Sequence, residues 1–224
     1  MTMGRWGMHL DRTQTWWSHA PAWFTYQSRC QWMLQEGTFA ADVLFWCGED
    51  VPIGGVSTPM PAGYDFDTCA TKALLALTVK DGRVVVPGGV SYALLALPQK
   101  DTMSAVCLKK IGELIDAGAK VCSVSKPTRS PGLRGWPTAD QDVKALAAKV
   151  WAKGVIPCKP SEALARLGVK PDFASVEKNP APKWIHRRGN GADWYFVALN
   201  NPESCRFDVS FRIADRIPEI WDPE

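Results

Sequence analysis

Between residues 49 and 170, short apolar runs alternate with helix-patterned runs, and this alternation leaves few folds open. The strand-like runs are "YALLALP" (92–98), "AKVCSV" (119–124) and "VIP" (155–157). Between and after them come "SAVCLKKIGELIDAG" (104–118), "TADQDVKALAAKVWAKG" (138–154) and "SEALARLG" (161–168), with apolar residues at three- and four-residue spacing. Strands joined through helices by short loops form a mostly parallel sheet, and such a sheet is stable only with helices on both faces. Within the same stretch, "VKDGRVVVPGG" is expected to be a hairpin turning at Asp81–Gly82. "GYDFDTCATKALLAL" is expected to give a helix capped by Asp67, with Ala73, Leu74 and Leu77 inward. Ser161 is expected to open the last helix and Gly168 to close it.

The flanks differ. Pro21 and Gly37 bracket a helix in "PAWFTYQSRCQWMLQEG", whose Trp23, Tyr26, Gln27, Cys30 and Leu34 share a face. "FAADVLFWC" has the branched and aromatic composition of a buried parallel strand. After Pro171 the period changes to two in "KWIHRR", "ADWYFVALN" and "CRFDVSFRI", with "GNG" (189–191) as a turn. These are expected to be antiparallel strands of a β-sandwich, too few to stand alone. Both ends therefore suggest a fragment of a larger protein.

Charge and cysteine content narrow the function. The net charge is +3 and the cations are scattered, which favours neither nucleic acid nor a membrane surface. No apolar run spans a bilayer, and the first ten residues lack the apolar stretch of a signal peptide. Seven cysteines without a CxxC pair or a histidine at ligand spacing are expected to be buried free thiols. No glycine-flanked elbow surrounds Cys122, so a cysteine nucleophile is not expected. Eleven tryptophans admit either an aromatic core or a carbohydrate surface where sugar faces stack on indoles.

The run "GMHLDRTQTWW" (7–17) favours the second reading. His9, Asp11, Arg12 and Gln14 offer hydrogen bonds to sugar hydroxyls, and Trp16 and Trp17 offer flat apolar faces. The bland alternative packs both indoles on the helix that follows. Carboxylates available for acid–base work are Asp11, Glu36, Asp42, Glu49 and Asp50, of which Glu49, after a strand's C-terminal end, and Asp11 are the catalytic candidates.

"GMHLDRTQTWW", "SRCQWMLQEGTFAADVLFWCGED", "PGGVSYALLALP", "HRRGNGADWYFVALN" and "PEIWDPE", in that order over nearly the whole chain, resemble glycoside hydrolase family 106, the α-L-rhamnosidases. The resemblance implies a multidomain enzyme that cleaves terminal α-linked L-rhamnose from a carbohydrate by inversion. Residues 1–48 would be the tail of a catalytic (β/α)8 barrel. Residues 49–170 would be an α/β open sheet of flavodoxin or glutamine-amidotransferase type, and 171–224 the start of a β-sandwich. Calcium in the parent, a periplasmic or secreted location, and the remainder of the parent polypeptide as partner are implied in the same way. A whole barrel needs about 250 residues, so most of the active site is expected elsewhere in the parent. The alternatives are a non-catalytic sugar-binding module and an α/β domain serving structure or oligomerisation.

Overall fold

Parallel strands buried on both faces carry unbroken apolar runs, and "VLFW", "LLA" and "VC" take that place in the structure. The computed structural model describes residues 10, 12–50, 60–176, 181–199 and 206–224. In chain order, a short 3-10 turn (Trp17–His19) leads into α1 (Ala20–Gln35), β1 (Thr38–Phe39), β2 (Val43–Trp46) and β3 (Phe66–Cys69). Then come α2 (Thr71–Ala76), β4 (Thr78–Lys80), β5 (Arg83–Val85), β6 (Ser91–Tyr92) and β7 (Leu94–Ala96). The chain continues through α3 (Ala105–Asp116), β8 (Val121–Cys122), α4 (Ala139–Gly154), β9 (Val155–Ile156) and α5 (Pro160–Arg166). It ends with β10 (Phe173–Ser175), β11 (Lys183–Gly189), β12 (Ala192–Ala198) and β13 (Val209–Phe211).

The main sheet has the order β3-β2-β7-β8-β9, with every neighbouring pair parallel. Side chains alternate across it. Leu44, Trp46, Leu95 and Val121 pack with α3 and α4 through Leu108, Ile111, Val143, Ala147 and Val150. Val43, Phe45, Leu94, Ala96 and Cys122 face α5 through Ala163 and Leu164. Both faces are thus covered, as the sequence pattern requires. Ser104 caps α3, its hydroxyl accepting from the Cys107 N–H at 3.3 Å. Asp81 and Gly82, at φ of 51° and 74°, form the tight turn of the β4–β5 hairpin.

Several sequence expectations are corrected. Asp67 does not cap α2. It lies in β3, where its carboxylate accepts the Tyr92 hydroxyl at 2.7 Å, and Ala70 precedes the helix with no side-chain cap. An edge strand pairing with β2 competes successfully for "FDTC" against the weaker local preference for a cap. Ser161 does not open α5, which starts one residue earlier at Pro160 behind Lys159, because proline's fixed φ suits the first helical position.

β2 sits inside the parallel sheet between β3 and β7. The C-terminal strands join the rest of the fold through β1. β11 and β12 form a hairpin whose outer partner is β1, with Thr38 opposite Arg188 and Phe39 opposite Arg187. β10 pairs with β13 in a separate two-stranded ribbon. Asn190 and Gly191, both at positive φ, turn the β11–β12 hairpin as "GNG" predicts. Arg187 reaches back to the carbonyls of Gln35, Glu36 and Gly37 at 2.6–3.1 Å, closing the end of α1.

Candidate functional site

His9 and Asp11 lie outside the described residues. Of the other residues in the opening run, Arg12 is exposed and Gln14 is half-buried, its carbonyl accepting the Trp17 N–H at 3.1 Å. Trp16 and Trp17 are half-buried. Their rings stand 6.1 Å apart and continue into Trp23 and Phe24 of α1, at 6.3 Å and 6.1 Å, in tilted and edge-to-face contacts. Such contacts follow the ring quadrupoles. The indoles thus pack on the helix and still present part of their surface to solvent. On the face of α1 anticipated from sequence, Cys30 is buried, Tyr26, Gln27 and Leu34 are partly covered, and Trp23 overhangs at 38% exposure. At its far end Trp32 stacks on Trp221 at 6.4 Å, and Arg29 binds the carbonyls of Pro223 and Glu224.

The described carboxylates from the candidate set each have a partner within the chain. Glu49 accepts the Ser104 N–H at 2.7 Å, at the start of α3, where the helix dipole favours a negative charge. Asp50 pairs with Lys100. Glu36 accepts from the Asn190 amide at 3.2 Å. Asp42 is buried and takes a two-oxygen grip from Arg212, at 3.0 and 3.2 Å.

Parallel sheets bind ligands at the C-terminal ends of their strands. A shallow hollow, open to solvent, lies there, lined by residues including Phe45, Ala96, Cys122, Ser123, Cys158 and Lys159, with room for little more than a water molecule. Burial pushes the Cys122 thiol up to about 12 and also raises Cys158, so neither supplies a thiolate at neutral pH. Among the described residues no group of three or more His, Cys, Asp or Glu is placed to hold a metal ion.

Around the "GNG" turn, β11 and β12 build a buried polar cluster that reaches three other segments of the chain. His186 is fully buried in β11. Its Nδ1 meets Asp172 Oδ2 at 2.6 Å, and its Nε2 meets Asp193 Oδ1 at 2.9 Å. The Tyr195 hydroxyl donates to Asp172 Oδ1 at 2.8 Å, and its ring stacks on the imidazole at 4.1 Å. Arg188 Nε donates to Asp193 at 2.8 Å, and Arg212 joins Asp172 at 3.5 Å to Asp42. The available signal was spacing: His186, Asp193 and Tyr195 fall on one face of two strands joined by a two-residue turn.

Burial pushes the Asp172 carboxyl up, but hydrogen bonding and attraction from His186, with help from Tyr195 and Arg212, outweigh it and hold it below the usual carboxylate range. Asp193 is held low in the same way by Arg188 and His186, against its own burial. Burial raises Asp42 despite Arg212, and raises Asp65 despite its bond to the Phe66 N–H.

These directions set a pH profile. Asp172 and Asp193 release protons more readily folded than unfolded. Their stabilisation is present above the unfolded aspartate value of about 3.9 and is lost as pH falls through their lower folded values. Asp42 and Asp65 hold protons more tightly when folded, so their contribution grows as pH falls from their raised values toward about 3.9. Urea midpoints are expected to rise slightly on mild acidification and to drop below about pH 4. A midpoint that keeps climbing through that acid limb contradicts the assignment of Asp172 and Asp193.

The fold has a solved counterpart. A rhamnosidase from Novosphingobium sp. PP1Y superposes with a TM-score of 0.83 over 95% of this chain, at 24% identity, and 22% of that chain is covered. A curated protein of Formosa agariphila named "Putative beta-glucuronidase" is 36% identical over 227 residues, covering 97% of this chain and 19% of its own length. The chain thus spans about a fifth of the length of these relatives. The model of the α-L-rhamnosidase family matches residues 1–224 without a break. Its whole length places this chain in glycoside hydrolase family 106, the α-L-rhamnosidase family.

Proposed function

We propose that this chain is part of a glycoside hydrolase that releases terminal α-L-rhamnose from carbohydrate, with inversion at the anomeric carbon. The family match over all 224 residues carries the reading. Inversion needs a protonated carboxyl to protonate the leaving oxygen and an ionised one, about 6.5–9.5 Å away, to activate water on the opposite face. Glu36, Asp42, Glu49 and Asp50 are engaged within this fold. Asp11 lies outside the described residues. At least one catalytic carboxylate belongs to the larger part of the enzyme, in a barrel to which these residues attach.

Within that enzyme the parallel-sheet region acts as a scaffold of flavodoxin or glutamine-amidotransferase type. Its strands, numbered by position in sequence, run 2-1-3-4-5, an order that supports this reading. The small hollow and the protonated thiols support a structural role over a second catalytic centre. The opening run faces sugar: Arg12 and Gln14, with His9 and Asp11, bind hydroxyls, and the free surface of Trp16 or Trp17 stacks on a sugar face.

Assays of the full-length parent and of this chain with p-nitrophenyl α-L-rhamnoside and p-nitrophenyl β-D-glucuronide separate the readings. The parent is expected to hydrolyse the rhamnoside, the isolated chain neither compound, and the first sugar released should have the inverted anomeric configuration by proton NMR. A parent that turns over only the glucuronide refutes the substrate, and turnover by the isolated chain refutes the placement of the carboxylates. In the parent, Trp16→Ala or Trp17→Ala is expected to raise KM about tenfold, the loss of one stacking contact of ~1–1.5 kcal/mol. If both variants keep the wild-type KM, the stacking role is wrong.

A further inference from the structure

An ionised carboxylate only accepts hydrogen bonds, and a neutral imidazole donates from one nitrogen while carrying a lone pair on the other. His186 presents both nitrogens to carboxylate oxygens, at 2.6 and 2.9 Å, with no solvent access. A neutral ring would point a lone pair at one of those oxygens unless that acid were protonated. Neither acid suits that role. Asp172 already accepts the Tyr195 hydroxyl and lies 3.5 Å from Arg212, and the oxygen of Asp193 that faces the ring also accepts from Arg188. The charge count agrees. The hydrogen-bonded members include three acids, Asp42, Asp172 and Asp193, and two guanidinium groups, Arg188 and Arg212. One further cation balances them.

We propose that His186 is held in this fold as a doubly protonated imidazolium, the cationic keystone of a buried latch that fixes the C-terminal strands to the end of the parallel sheet. Asp42 immediately precedes β2, Asp172 precedes β10, His186 lies in β11, Asp193 and Tyr195 lie in β12, and Arg212 follows β13. The latch thus joins segments up to 170 positions apart. A charge held between two acids is satisfied in one register only, and it reinforces the register that the buried faces already set.

The chain has three histidines, so the ring signals are few, and H186Q assigns those of His186 by their disappearance. With histidine labelled with nitrogen-15, both ring nitrogens of His186 are expected at protonated shifts at neutral pH, each with a slowly exchanging proton. One nitrogen at the lone-pair shift overturns the proposal, and this measurement on the wild-type chain stands whether or not any variant folds. Urea unfolding supplies a second reading. H186Q is expected to lower the folding equilibrium constant about a hundredfold or more, because it leaves excess negative charge buried. Adding D193N removes that excess and should recover about tenfold. If D193N deepens the loss, the ring was not carrying the balancing charge.

Discussion

Asp172→Ala is expected to lower the stability of the chain by about 3–5 kcal/mol, the cost of removing one member of a buried charged network. The substitution leaves the His186 Nδ1 and the Tyr195 hydroxyl without acceptors and takes a partner from Arg212. Water cannot replace the lost oxygens readily, because Asp172 is only 2% exposed and His186 is sealed. The loss should be widest at neutral pH and should narrow in acid, because the wild-type carboxylate itself becomes protonated there. Urea denaturation followed by tryptophan fluorescence measures both effects. A change under about 1 kcal/mol at neutral pH would mean that the cluster does not hold the fold together.

Gly63→Ala attacks the same junction through the backbone. Gly63 has φ +82°, and an added Cβ would lie 2.3 Å from the Phe173 carbonyl oxygen and 2.8 Å from Pro171 Cβ. Its own carbonyl accepts the N–H groups of Asp172 and Phe173 at 2.7 and 3.2 Å. The methyl group pushes these two segments apart, so the left-handed strain and two weakened hydrogen bonds combine to about 3–5 kcal/mol. Gly168→Ala is the comparison. It has φ +69° but no atom within 4 Å of the added carbon, so only the strain of about 1–2 kcal/mol remains. Equal thermal unfolding temperatures for the two variants would show that the contact of Gly63 with Phe173 carries no weight.

Local pattern was enough for much of the architecture. The four-residue run Val43–Trp46, the alternating faces of β7, and the amphipathic helices α3 and α4 were legible because each must bury an apolar surface that its own period reveals. The Asp81–Gly82 and Asn190–Gly191 turns were legible because few residues accept positive φ. Asp67 was misread because a cap and an edge strand both satisfy an aspartate, and only the presence of β2 decides between them.

The candidate site was less legible. The opening run revealed its composition but not its setting, and its indoles pack against Trp23 and Phe24 while staying partly open. Glu49 stood after a strand, as barrel carboxylates do, yet its partner is a backbone N–H 55 residues away.

The sequence by itself determined the element types, the two-faced parallel sheet and the family, since all three rest on short-range period and on motifs in a fixed order. Only the tertiary structure decided that β2 belongs inside that sheet, that β1 pairs with β11, and that His186 sits between two acids. Hydrogen bonds and ion pairs between distant segments have no period along the chain. Their partners are chosen by which surfaces meet once the apolar faces have been buried.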